Sequence, residues 1–267
     1  MRWAFVVAAV AGAFAACSTY GSDDDTGPPS GIDAGLDAEL EAGVDASTEA
    51  GGDGGDGGCR ATFCDDFEKG PIGETWDGVQ NSGGKLEAVS NSTKGGRAMK
   101  ATIDAVDAGA IDRNAYLTKK LPVGKRVVCT FLFKPDVIEC TSPAFSDVFI
   151  LRSAGVADGV SAYGMFLAIG PADTGGLRED VFFDDGGCGC PRRSVSLPSW
   201  ANGVWSAMRI ETDFQTVSVS RNDVIIYKGD FAQFTPDSSL TLSIGLKTSY
   251  PLHIEATYDD FVCDVTN

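Results

Sequence analysis

Histidine is nearly absent from this chain of 267 residues, which has one, and basic residues are scarce, 21 Lys and Arg against 38 Asp and Glu. A Ser-His-acid or Cys-His relay would have only His253 to use, and His253 falls on the outward phase of an alternating strand, as a surface histidine does. The formal net charge is -17, and the basic residues gather in nothing larger than Lys119-Lys120, Lys125-Arg126 and Arg192-Arg193. Neutralising phosphates takes a basic stripe, so no nucleic acid is expected as a partner. No apolar run after residue 17 approaches the ~20 residues that cross a bilayer. No long stretch keeps a helical apolar period, which excludes a helical bundle.

The charge is unevenly spread. Residues 18–58 hold eleven carboxylates and no Lys or Arg, whereas residues 59–267 hold 27 acidic and 20 basic side chains. The acidic stretch is made of Asp, Gly, Ala, Glu, Ser and Thr with few large apolar groups, so it cannot offset its ordering entropy and is expected to be a disordered tether. Its Gly51-to-Gly58 run alternates Gly-Gly with Asp but lacks the buried apolar residue that a calcium-binding β-roll repeat requires.

Ahead of the tether, Met1-Arg2 and the apolar run Trp3 to Ala16 have the form of a secretory signal, too short to span a membrane. The run ends in Phe14-Ala15-Ala16-Cys17, which resembles a bacterial lipobox. That resemblance implies cleavage after residue 16, lipidation of Cys17 and a secreted, lipid-anchored protein at the outer membrane or cell surface. Two or three acyl chains hold stably where one does not. The lipid anchor would then be the protein's only membrane attachment.

From Cys59 onward, short runs of strand composition recur with Gly, Asn, Asp and Pro between them. They predict an opening strand in Phe63-Cys64-Asp65-Asp66-Phe67-Glu68 and strands over 85–90, 97–104, 115–121, 126–134, 145–153, 161–169, 178–184, 204–213, 215–221, 223–228, 239–248 and 252–265. Leu240, Leu242, Ile244 and Leu246 alternate with Thr241, Ser243, Gly245 and Lys247, one face buried and one wet. Arg221-Asn222-Asp223 predicts a tight hairpin turn. In the last strand Leu252, Ile254, Ala256 and Tyr258 keep one phase, and Phe261, Cys263 and Val265 the other, so a β-bulge is predicted at Asp259-Asp260. Asp65-Asp66-Phe67 is echoed by Asp259-Asp260-Phe261, which predicts that the first and last strands lie side by side. The expected fold class is all-β, an antiparallel two-sheet β-sandwich over residues 59–267.

Several segments together resemble the concanavalin A-like lectin and glucanase superfamily: Asp65-Asp66-Phe67-Glu68 with Trp76, the Trp205-to-Tyr227 hairpin, Leu242 to Leu246, and Tyr258-Asp259-Asp260-Phe261-Val262. The resemblance implies a jelly roll with a polysaccharide-binding concave face. It also implies a structural calcium at the sheet edge, with Glu68 and Asp260 as the positions carried over and Asp66 and Asp259 as neighbours. The Glu-x-Asp-x-x-Glu strand of the laminarin-type hydrolases is missing; Glu211-Thr212-Asp213 approaches it without the third carboxylate.

Seven cysteines follow Cys17. In an exported protein they are expected to be oxidised. The echo of the terminal strands pairs Cys64 with Cys263, and Cys129 with Cys140 would close a loop, leaving Cys59 to pair with Cys188 or Cys190. A thiolate metal site at Gly187-Cys188-Gly189-Cys190 lacks a second pair of ligands.

A sugar groove needs aromatic faces and planar polar groups, and Phe149, Arg152, Tyr163, Phe166 and Trp200 are the candidates. The function expected is a noncatalytic module binding polysaccharide or another surface glycan. A diverged polysaccharide hydrolase or lyase and a structural envelope protein are the alternatives.

Overall fold

The computed structural model describes residues 59–90, 95–105, 112–139, 145–157, 160–170, 175–183, 190–230, 239–250 and 252–267. The signal segment, Cys17 and the tether lie outside them. Among the described residues are fifteen strands: β1 (Phe63–Asp65), β2 (Gly78–Gln80), β3 (Gly84–Val89), β4 (Ala98–Ile103), β5 (Arg113–Leu121), β6 (Arg126–Glu139), β7 (Ser146–Ala157), β8 (Val160–Ile169), β9 (Gly175–Phe183), β10 (Cys190–Leu197), β11 (Ser206–Thr212), β12 (Thr216–Arg221), β13 (Val224–Asp230), β14 (Leu240–Thr248) and β15 (His253–Thr266). They form two antiparallel sheets. Sheet one runs β13-β12-β11-β6-β15-β4-β3, with β1 also paired to β15, and sheet two runs β10-β9-β8-β7-β14-β5-β2.

The alternation read from the sequence decides which side chains meet between the sheets. Leu240, Leu242, Ile244 and Leu246 of β14 are buried in one cluster with Val127, Cys129, Phe131 and Phe133 of β6. Burying each large apolar side chain contributes about 1.5–3 kcal/mol. Phe131 stacks on Phe149 across the two sheets with centroids 5.8 Å apart. Tyr258 reaches from sheet one to donate its hydroxyl to the carbonyls of Gly245 (2.8 Å) and Val148 (3.2 Å). Burial pushes that hydroxyl's pKa well above the usual tyrosine value.

The terminal strands pair side by side, Phe63 opposite Cys263 and Asp65 opposite Phe261. β4 takes the first half of the same edge of β15, from Ile254 to Tyr258. Between those halves the ladder to β6 jumps from Asp259↔Leu132 to Val262↔Thr130, and Asp260 has φ 48°. This is the bulge that the phase slip predicts. Its purpose is visible in the packing: Tyr258 and Phe261, three residues apart, both point into the core.

Two strands were not foreseen. β2 has three residues and begins with glycine. β10 contains Pro191, which is tolerated because β10 is an edge strand and its ladder to β9 shifts register between Pro191 and Arg193.

The disulfides differ from those expected. Cys59 bonds to Cys64, and Cys129 bonds to Cys263. Cys64 cannot reach Cys263, because Phe63 is the residue opposite Cys263 and the next side chain along β1 turns to the other face. Cys129 and Cys263 are direct partners on β6 and β15, Cα atoms 4.1 Å apart, so Cys129 is not available to Cys140. Cys140 and Cys188 lie outside the described residues.

Candidate functional site

The carboxylates of the two Asp-Asp-Phe stretches serve the backbone around them. Asp65 accepts from the Phe67 amide (2.8 Å), the Thr75 hydroxyl (2.7 Å) and the Trp76 indole (2.7 Å). Asp66 accepts from the Glu68 amide (3.1 Å) and Asp259 from the Asp260 amide (2.9 Å). Both oxygens of Glu68 receive the Arg97 amide at 3.0 and 2.9 Å, and the Arg97 guanidinium donates back to the carbonyls of Glu68 (3.2 Å) and Gly70 (3.0 Å). A calcium cage needs six to eight oxygens directed at one point. Among the described residues no three Asp, Glu, His or Cys side chains converge in that way. As placed, Glu68, Asp66, Asp259 and Asp260 do not make such a cage.

The groove candidates separate into different places. Phe149 is a core residue, fully buried against Phe131. Trp200 lies in the loop before β11 and closes the end of the core. Its ring meets Phe133 edge-on at 5.7 Å, and Arg221 covers it at 4.9 Å while donating to the Ser199 carbonyl. Its Nε1 is buried and donates to nothing. Tyr163 takes its place in β8 opposite Ser153 and Val181. Arg152 and Phe166 alone meet on the outer face of sheet two.

There the Arg152 guanidinium stands over the Phe166 ring, 5.3 Å from its centroid. Phe166 is 2% exposed, yet it does not belong to the cluster between the sheets. Gly164 makes room for the pair, since a Cβ there would come within 2.6 Å of the Phe166 ring. The Arg152 Nε is buried and has no acceptor. Ladder register sets Arg152 in a row with Thr241 and Lys120 on one side and Gly164 and Asp180 on the other. The next row holds Thr118, Ser243, Ile150, Phe166 and Arg178. Sequence reasoning missed Gly164 and Lys120. The phase of β14 read as wet already pointed to Thr241, which is half-buried, whereas Ser243 and Gly245 of that phase are buried.

The outer face of sheet one is also charged but internally paired. Lys100 lies 2.6 Å from Glu255, and Lys134 lies 2.9 Å from Asp136, which also accepts from the Thr257 hydroxyl. Arg126 and Arg209 share Glu211 at 2.6 and 2.9 Å. The Glu255 contact raises the Lys100 pKa, and the Arg126 contact lowers that of Glu211. His253 stands 3.6 Å from both Asp104 and Glu255.

No known protein family and no curated protein matches the sequence. Solved structures do match in three dimensions. An endo-β-1,4-glucuronan lyase from the fungus Trichoderma reesei superposes with TM-score 0.59 at 15% identity, covering 77% of this chain and 96% of its own. The cellulose-induced protein Cip1 superposes with TM-score 0.54 at 13% identity, covering 76% and 97%. The fold is a two-sheet antiparallel β-sandwich of the jelly-roll kind. At these identities the likeness speaks for the jelly roll alone. Within it, no aromatic ring among the candidates with described side chains offers an open stacking face: Phe149 is stacked in the core, and Phe166 and Trp200 each lie under an arginine.

Proposed function

We propose that this protein is a cell-envelope lipoprotein, lipidated at Cys17 and held off the membrane by residues 18–58, whose jelly roll binds a glycan without cleaving it. The binding surface is the outer face of sheet two. The observation that carries this reading is Arg152, a planar donor half-buried on that face with its guanidinium over the Phe166 ring. Thr241 and Thr118, half-buried on the same face, supply hydroxyl donors and acceptors in the rows beside it, the type of group that orients a sugar in a site. That a glucuronan lyase and a cellulose-induced protein share the fold supports a polysaccharide partner.

A glycan array probed with the full-length protein tests the binding: retention of at least one glycan class is expected, and none at all removes the reading. Metabolic labelling with a palmitate analogue tests the anchor, which should mark the wild type and not Cys17→Ser. A polysaccharide lyase is the second reading, favoured by the first of those fold likenesses. Unsaturated ends appearing in glucuronan, followed by ultraviolet absorbance, would establish it.

A further inference from the structure

The glycan reading leaves open what kind of sugar the outer face of sheet two accepts, and the charges of that face narrow it. The region from residue 59 onward is acidic on balance, with 27 acidic against 20 basic side chains. Against that background Lys120 and Arg152 sit in one transverse row, separated only by Thr241. Two strand spacings put their backbones about 10 Å apart. Lys120 is exposed, and Asp77, the carboxylate near it, is engaged by the Lys120 amide (2.6 Å) and the Lys119 ammonium (3.4 Å).

Arg152 is held differently from Arg97, Arg113, Arg126, Arg209 and Arg221. Arg97 and Arg113 spend their guanidinium groups on backbone carbonyls, Arg126 and Arg209 on Glu211, and Arg221 on Ser199. Arg152 rests on a ring, with no acceptor for its Nε. The ring fixes the plane of the guanidinium without consuming its hydrogen bonds. Gly164 secures the arrangement by leaving the ring space that any side chain would take. A guanidinium fork fixed in plane by a ring matches the two oxygens of a carboxylate, to which arginine binds bidentately.

We infer that the face selects acidic saccharides, with Arg152 receiving a uronate carboxylate and Lys120 a second one along the chain. This rests on the glycan-binding reading and deepens it. Asp180, two strands from Arg152 in the same row, and Arg178, beside Phe166, bound the site on the β9 side by their backbone positions.

The test uses the full-length protein, polygalacturonate, and the same polymer with its carboxyl groups reduced to alcohols, in affinity electrophoresis or calorimetry. Binding to the acidic polymer alone is expected, weakening as salt is raised. Arg152→Gln should weaken it about tenfold or more, the loss of one charge-assisted hydrogen bond. Lys120→Gln should weaken it less, and Arg152→Lys should fail to restore it. Thermal melts show whether each variant folds, and Lys120→Gln, a change at an exposed side chain, keeps the test open should Arg152→Gln unfold. Equal binding of both polymers overturns the carboxylate inference and leaves the glycan reading standing. Binding of neither, joined to an empty glycan array, overturns both. Acid-selective binding indifferent to Arg152 and Lys120 overturns this placement of the site.

Discussion

On the outer face of sheet one, buried Lys134 lies against the Asp136 carboxylate and Lys100 against that of Glu255. On the outer face of sheet two, Arg152 lies against a phenyl ring. Desolvating a charge is tolerable when an opposite charge and hydrogen bonds replace the lost water. Sheet one follows that rule, and Thr257 adds a hydroxyl to Asp136. Sheet two leaves a donor without an acceptor, which stability alone would not select. Covalent bonding sharpens the contrast, because both disulfides among the described residues tie strands of sheet one or the segment leading into it. The difference teaches that the lysines of sheet one are matched by carboxylates and the arginine of sheet two by a ring, although sheet one too keeps a buried hydroxyl, that of Tyr227 in β13, without a hydrogen-bond partner.

The strongest way to break this comparison is to unlock sheet one. Replacing Cys129 and Cys263 together by Ala should cost about 4 kcal/mol, since the bridge spans 134 residues of chain. Denaturant unfolding measures the loss, and hydrogen exchange should show β6 and β15 opening first. Next, Asp136→Ala should cost about 3 kcal/mol because it strands Lys134. Arg152→Ala should stay within about 1 kcal/mol, as only a cation–π contact is lost. Equal losses from these two would erase the distinction between the faces. Gly164→Ala should cost about 1–2 kcal/mol by pushing the Phe166 ring, and should weaken acidic-saccharide binding along with it.

A smaller effect separates the faces by pH. The pKa of Glu211 is lowered chiefly by Arg126, so its contribution is present above the ordinary value of 4.5 and is lost as pH falls through the lowered one. At neutral pH Glu211→Gln should be less stable than wild type by about 0.5 kcal/mol. The gap should close in acid, and a gap that persists there would mean the pair acts through packing. The smallest expected effect is none: because Glu68, Asp66 and Asp259, three of the four carboxylates proposed for calcium, already accept from backbone amides, calcium or a chelator should leave the melting temperature unchanged. A rise with calcium would mean that Glu68 can exchange the Arg97 amide for a metal.

Much of the fold was legible because a strand with one buried face writes a period of two into the chain. Leu240 to Leu246 announced β14, and the change of phase after Tyr258 announced the bulge where Asp260 adopts a positive φ. The pairing of β1 with β15 was readable from the repeated Asp-Asp-Phe. The site was less legible. Phe149, Phe166 and Trp200 look alike in sequence, and only the fold sends the first into the core, the second to the outer face and the third to the core's end.

What the sequence by itself determined is therefore local: which residues face in or out along each strand, where a strand must bulge, and which segments lack the apolar groups to fold. The tertiary structure alone decided which strands became neighbours. Hence it decided that Cys129 meets Cys263, that Arg152 comes to rest on Phe166 above Gly164, and that Lys120 shares its row. The physical reason is that alternation is set by each residue's own neighbours, whereas strand order and register arise from packing between segments far apart in the chain, and no single segment records its partner.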